Sequence, residues 1–223
     1  LSISLSDDKV SINGFVADKY ISDGVLRDSK NPCESVVVNP VEKSQVILEF
    51  EYLINRDPKE SELELFLQKY YKDIFGFEYD KIETQLWLRF PELDISQTDR
   101  RLDIFLRNSI EKDWELFEIK RATKLAKSYR DIPVFRNELY TAIQQLRNYS
   151  HILSQDNVKR KMAKEGIEYY VPSLKLVIGR SPNIPLSEWR WLKSSNEKDV
   201  KILTYDELLA SMKKRTEYHI QYK

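Results

Sequence analysis

RRLDIFLR (Arg100 to Arg107) and WELFEIKR (Trp114 to Arg121) are the two runs on which the fold of this chain turns. Both read as strands, and the segment between them, Asn108-Ser-Ile-Glu-Lys-Asp113, reads as a turn. The simplest antiparallel hairpin pairs Arg107 with Trp114; opposite residues then sum to 221, so Asp103 faces Glu118 and Arg101 faces Lys120. Opposed residues share a face with Cβ atoms roughly 4.5–5.5 Å apart, as do side chains two apart on one strand. Asp103, Glu118 and Lys120 therefore converge on one patch. Two carboxylates held face to face repel unless a positive charge lies between them, and a divalent cation with a lysine beside it supplies one. The competing explanation is a half-solvated sheet face, where alternating charges are ordinary. Against it, the other side of both strands is apolar (Leu102, Ile104, Leu106, Phe117, Ile119), so a slip in register would bury the charges.

The bulk numbers bound the class. A chain of 223 residues with 41% hydrophobic and 32% charged residues fits one large domain, or a domain with an appendage. No apolar run is long enough to cross a bilayer and no signal peptide opens the chain, which begins with Leu and reads as a piece of a longer protein. The single Cys33 excludes an internal disulfide framework and suits a reducing cytosol. Two histidines, His151 and His219, leave little material for zinc sites or catalytic triads. The net charge of zero makes no global case for nucleic acid, so local charge decides. With five glycines, the chain has neither a phosphate-cradling loop nor a nucleophile elbow.

Outward from the hairpin, residues 1–38 read as short strands and turns, with a strand at Lys9–Gly14, a turn at Asp23-Gly24 and a strand at Ser35–Val38. A first helix starts at Pro40 with Asn39 as its cap, and Asn55-Arg-Asp-Pro58 interrupts it. A second helix is then capped by Asp57, opened by Pro58 and given Glu60 at the capping-box position. A strand is expected at Thr84–Phe90, the longest helix at Phe135–Leu153 on a Leu139, Ile143, Leu146, Leu153 stripe, strands at Ser173–Gly179 and Lys201–Leu203, and a closing helix at Tyr205–Lys214. This order predicts an α/β (α+β) fold: a mixed central sheet flanked by helices, with a small β-rich N-terminal appendage at residues 1–56 and the main domain at 57–223.

Further candidate chemistry flanks the hairpin. Glu60 lines up with Leu63 and Leu67 and so borders the buried side of its helix; it either reaches the carboxylate patch or merely closes a capping box, and Glu64 competes for the same role. Gln145 and Tyr149 lie one turn apart beside the core stripe, where an amide needs a partner: a water, a phosphate oxygen or a backbone carbonyl. The run from Lys120 through Arg121, Lys124, Lys127 and Arg130 leaves the strand end basic, either to hold phosphates or as a solvated helix face. Lys159, Arg160, Lys161 and Lys164 read as plain surface.

Taken together, the elements resemble a PD-(D/E)XK nuclease, that is, a restriction-endonuclease-like core. There a helix supplies a Glu, a β-hairpin supplies Asp and then Glu-x-Lys, and a following helix often carries Gln-xxx-Tyr; here these are Glu60, Asp103, Glu118, Lys120, Gln145 and Tyr149. More narrowly, the chain resembles the C-terminal domain of Shedu anti-phage defence proteins over about residues 57–212. Glu60-xx-Leu63-xx-Phe66-Leu67, Arg101-Leu-Asp103, Phe117-Glu-Ile-Lys120, Gln145-xxx-Tyr149, Val177-Ile-Gly-Arg180 and Leu203-Thr-Tyr-Asp-Glu-Leu-Leu209 carry that likeness. One departure is that Arg101-Leu102, rather than a proline, precedes Asp103.

The resemblance implies a metal-dependent DNA endonuclease of prokaryotic cytoplasm, acting in antiviral defence. Mg²⁺ (or Mn²⁺) would be bound by Asp103 and Glu118, with the Ile119 carbonyl and, through water, Glu60. Lys120 and Gln145 would position the attacking water or the scissile phosphate, while Arg121, Lys124, Lys127 and Tyr149 contact DNA. It further implies a homo-oligomer, as a tetramer, with no membrane partner and with regulation by a separate N-terminal region. The rival reading is a catalytically silent domain of the same fold that binds nucleic acid or assembles a complex.

Overall fold

The computed structural model describes the chain outside residues 1, 7–8, 17–18, 23–24, 29–34, 38–39, 89–99, 131 and 222–223, with side chains for 45–86, 101–127, 129–130 and 132–216. The chain packs as two compact units, residues 1–48 with 213–223, and residues 49–212. This divides it inside two helices, where the sequence suggested a boundary at 56/57. In the first unit, β1 (Ser2–Ser6), β2 (Lys9–Val16), β3 (Lys19–Ser22), β4 (Val25–Asp28) and β5 (Ser35–Val37) form an antiparallel sheet in sequential order. The expected turn at Asp23-Gly24 and the Asn39 cap lie outside the described residues.

Helix α1 (Pro40–Asn55) leads from the first unit into the second, where α2 (Glu60–Lys69) and α3 (Tyr71–Phe75) follow. Strand β6 (Tyr79–Leu88) starts five residues earlier than expected, and β7 (Arg100–Asn108) and β8 (Trp114–Ile119) form the central hairpin. Next come β9 (Ala126–Tyr129), β10 (Ile132–Phe135), α4 (Asn137–Leu153), α5 (Asp156–Lys164), β11 (Ser173–Val177), α6 (Leu186–Asn196), β12 (Val200–Leu203) and α7 (Tyr205–Gln221). The main sheet runs β12-β11-β8-β7-β6; β12, β11 and β8 are parallel, and β7 and β6 are antiparallel additions. It is the mixed sheet flanked by helices that the element order predicted.

Strand β8 is central and buried along its whole length. This overturns the half-solvated-face explanation: side chains on both sides of the strand are covered. Leu116 and Trp114 join Phe105, Leu174 and Leu176 in one cluster with Leu139, Ile143, Leu146 and Leu153 of α4. Phe117, pointing the other way, meets Phe75 of α3 at 4.5 Å between ring centres and Tyr79 at 6.1 Å. Aromatic contacts at such separations add about 0.5–1.5 kcal/mol each beyond the area they bury.

Three local expectations need correction. Asp57 does not cap α2: it adopts φ +52°, in the left-handed region that Asp tolerates, and the following proline disfavours the right-handed helix at this position. Lys59 is the N-cap instead, and Glu62, not Glu60, reaches back to accept its N–H at 3.3 Å. The basic run after Lys120 is no helix face; it enters a hairpin of β9 and β10. The second helix, expected to run to about Phe75-Gly76, is broken at Tyr70 into α2 and α3. Helices α5 and α6 have no counterpart in the sequence reading, the latter carrying buried Trp189 and Leu192.

Candidate active site

The hairpin register is the one that alternation predicted. Arg107 pairs with Trp114 and the ladder continues to Ile104 opposite Phe117, where its paired residues end. Beyond that point the Asp103 carboxylate takes over, accepting the Ile119 N–H at 2.8 Å. Lys120 then donates its own N–H to the Val177 carbonyl of β11 at 2.9 Å. The two strands thus part around Asp103 and Glu118, which are 7% and 1% exposed.

Four predicted residues meet in this fork. Lys120 Nζ donates to Glu118 Oε1 at 2.6 Å and reaches Glu60 Oε1 at 3.5 Å, the outer limit of a hydrogen bond. Freed from the capping box, Glu60 stands at the first turn of α2 and points to the lysine. Glu64, its competitor, is buried one turn on and committed elsewhere: to Gln68 at 3.1 Å and Arg101 at 3.2 Å.

The electrostatics follow from burial. Desolvation, then the nearby Asp103 charge, pushes the Glu118 carboxyl far above the usual carboxylate range, and Lys120 only partly offsets this. Asp103 is raised by the same desolvation, which outweighs the Ile119 N–H and Lys120. For Lys120, burial works downward, but the Glu118, Glu60 and Asp103 charges win and raise it, so it stays an ammonium.

Whether a divalent ion fits can be judged from the donors. Glu118 Oε2 is buried and has no hydrogen-bond partner among the described residues. A bare buried carboxylate oxygen is costly unless something positive meets it. No group of three or more His, Cys, Asp or Glu side chains is gathered for a metal among the described residues. The donor set therefore suits an ion that takes one or two protein carboxylates and keeps its water, as Mg²⁺ does, and not a zinc-like cage.

The other predicted residues divide. Gln145 donates to the Tyr149 hydroxyl at 2.8 Å, and that hydroxyl donates to the Arg101 carbonyl at 3.2 Å. The bond to Arg101, two residues from Asp103, puts this pair beside the fork. Burial raises the Tyr149 phenol, the Gln145 bond opposes this, and the Glu118 and Asp103 charges add to the rise. Arg121 is exposed and bonded to Asp57 at 3.0 Å. Lys124 and Lys127 are exposed beside a cavity of about 550 Å³ that Pro133, Arg180, Ile184 and Glu188 also line.

One residue of the site went unread. Tyr205 is fully buried at the start of α7, and its hydroxyl donates to the Lys120 carbonyl at 2.6 Å. Its phenol is driven well above its ordinary value by burial, then by the Glu60 and Asp103 charges. Its neighbour Gly179 has φ +66°, and a Cβ there would meet Leu125 Cβ and the Thr123 carbonyl at 2.9 Å. That close approach lets the Gly179 N–H bond the Arg121 carbonyl at 3.0 Å.

The fold and site thus define a mixed-sheet α/β domain with a buried carboxylate–lysine cluster where two central strands part. A family model, Shedu protein SduA, C-terminal, matches residues 58–209, and the chain belongs to that family of anti-phage defence proteins. A search of curated proteins found no match. Among the described residues, no helix is long and apolar enough to cross a membrane.

Proposed function

We propose that this domain is a Mg²⁺- or Mn²⁺-dependent deoxyribonuclease of the PD-(D/E)XK type, with a restriction-endonuclease-like core, cleaving phosphodiester bonds in anti-phage defence. The observation that carries this reading is the Glu118 carboxylate, buried between Asp103 and Lys120 with one oxygen bare. A structural core gains nothing from two neighbouring carboxylates whose charges repel; a hydrolytic site does.

Asp103 and Glu118 would hold the ion, with Glu60 at its margin. Bound there, a divalent ion lowers the pKa of water and offsets charge on a phosphoryl group. The residues of the chain do the rest. Lys120, kept protonated by three carboxylates, donates to the attacking water or to the phosphate oxygen on which charge grows. Glu118 Oε1 and Glu60 hold the ammonium in place. Gln145, tethered through Tyr149 to the Arg101 backbone, orients the nucleophile or the phosphate from α4. Arg121, Lys124 and Lys127 contact the DNA backbone; Arg121 would exchange Asp57 for a phosphate. The same reading makes DNA the partner, a homo-oligomer the working form and the bacterial cytoplasm its setting.

The experiment is plasmid cleavage with Mg²⁺ and with Mn²⁺, using wild type beside Lys120→Ala and Glu118→Ala. Cleavage by wild type that both folded variants lack supports the reading. A full-length protein that leaves linear and supercoiled DNA intact with either ion would favour the silent, DNA-binding alternative.

A further inference from the structure

Arg101 lies two residues before Asp103 on β7, hence on the same face of the strand, and the mechanism above leaves its side chain without a task. Its main chain is fixed from α4, through the Tyr149 hydroxyl on its carbonyl. Its side chain is aimed from α2, where Nη2 donates to Glu64 Oε2 at 3.2 Å. Glu64 is 4% exposed, while the Arg101 side chain is 39% exposed.

The form of this ion pair is informative. Arg107 on Asp80, Arg147 on Asp199 and Arg180 on Asp206 each engage their carboxylate through two nitrogens. Such forks are the strong, self-sufficient arrangement for arginine and carboxylate. Arg101 makes a single bond, because Gln68 occupies the other Glu64 oxygen. The remaining guanidinium N–H groups make no hydrogen bond to the described residues, and the side chain that carries them is more than one-third exposed. Among planar cations, a guanidinium held at one corner with its other donors open is well suited to a phosphate.

We propose that Arg101 binds the backbone phosphate next to the one addressed by Asp103, Glu118 and Lys120, with Glu64 as the residue that aims it. The phosphate belongs to a DNA strand lying along the fork, so this inference rests on the deoxyribonuclease reading. Arg101 is thereby a substrate-binding residue rather than a partner in bond cleavage.

The test measures binding of a short linear duplex by Lys120→Ala protein, which keeps the DNA intact, over a series of salt concentrations. Adding Arg101→Gln is expected to weaken binding several-fold and to lower the slope of log K against log salt by about one, the signature of one lost phosphate contact. Glu64→Gln is expected to keep the slope, since it frees the guanidinium without removing it. The pair Glu64→Gln with Arg101→Gln separates binding from structure: it leaves no buried charge unpaired, so it should regain thermal stability while the slope stays low. A double variant that regains the parental slope would show that Arg101 only neutralises Glu64 and would overturn the proposal, as would an Arg101→Gln protein with an unchanged slope. Failure of the parental protein to bind DNA at any salt concentration overturns the deoxyribonuclease reading itself, and this inference with it.

Discussion

Tyr205 holds Lys120 by the backbone: a wholly buried hydroxyl on α7 donates at 2.6 Å to the carbonyl of the residue whose ammonium meets Glu118. The Lys120 N–H is bound to Val177, and the next carbonyl, that of Arg121, accepts the Gly179 N–H. The strand end is therefore pinned from three sides before the lysine side chain extends. An ammonium on a four-carbon stem is a flexible group. Anchoring its root is how a fold keeps it on one carboxylate.

Tyr205→Phe removes that anchor with little change in volume. It leaves the Lys120 carbonyl without its donor, which costs about 1–3 kcal/mol for a buried acceptor. Misplacement of Lys120 on this scale is expected to slow single-turnover cleavage by up to about a hundredfold while duplex binding stays at the wild-type level. Thermal unfolding and single-turnover rates check the two parts. A stability loss without any change in rate would make Tyr205 a core residue only.

Lys120→Ala and Glu118→Gln should separate the two members of the buried pair. Both are expected to lose about two to four orders of magnitude in cleavage rate, the range for a positioned acid–base or charge-stabilising group. Their stabilities should diverge. Lys120→Ala strands a buried carboxylate, whereas Glu118→Gln leaves a lysine that is one-quarter exposed and can turn to Glu60 or water. Unfolding curves in chelator give the comparison; equal destabilisation by both would contradict the asymmetry of burial.

The sheet and its register were legible because the hairpin alternates on both strands and a one-residue shift would reverse Leu116 and Phe117 together. Glu60 was ambiguous in the sequence, since Asp57-Pro58 suits a helix start so well; the left-handed Asp57 delays the helix and hands the capping role to Glu62. Tyr205 gave no polar signal. A tyrosine followed by Leu208 and Leu209 reads as core, which it also is, and its hydroxyl partner lies 85 residues away in sequence. Spacing among Lys120, Lys124 and Lys127 mimics a helix turn, yet the chain forms a hairpin because Leu125 and Phe135 are buried at its base. Short-range patterns carried the strands; contacts far apart in sequence were invisible to them.

The raised carboxyls make a pH prediction with a definite sign. Burial brings Asp103 to about 6, and burial followed by the Asp103 charge brings Glu118 to about 8, against ordinary values near 4. Folded protein therefore binds more protons than unfolded protein across this window, so stability in chelator falls as pH rises from the unfolded values through the folded ones. A divalent ion must displace those protons, so its binding should tighten over the same range and release protons measurably. Calorimetry in two buffers of different ionisation enthalpy reads the proton count, and Asp103→Asn with Glu118→Gln should flatten the stability profile. A profile unchanged by that double substitution would place the titration elsewhere.

Glu115 provides a control on the opposite face of β8. It accepts hydrogen bonds from Tyr79 and Lys175, and Lys175 also bonds the Tyr79 hydroxyl at 3.0 Å. The Lys175 ammonium stands 5.2 Å from the centre of the Phe117 ring, so the charge is packed among aromatic groups. Unlike Glu118, this carboxylate has no buried oxygen without a hydrogen-bond partner among the described residues, and the cluster accounts for itself structurally. Lys175→Met removes one partner and should cost about 3–5 kcal/mol, the usual effect of stranding a buried charge. Adding Glu115→Gln should recover most of that loss. Because Glu115 points away from the fork, cleavage per folded molecule should equal wild type in the double variant. A double variant that is stable but slow would mean that the two faces of β8 are coupled, and that the fork depends on the charge beneath it.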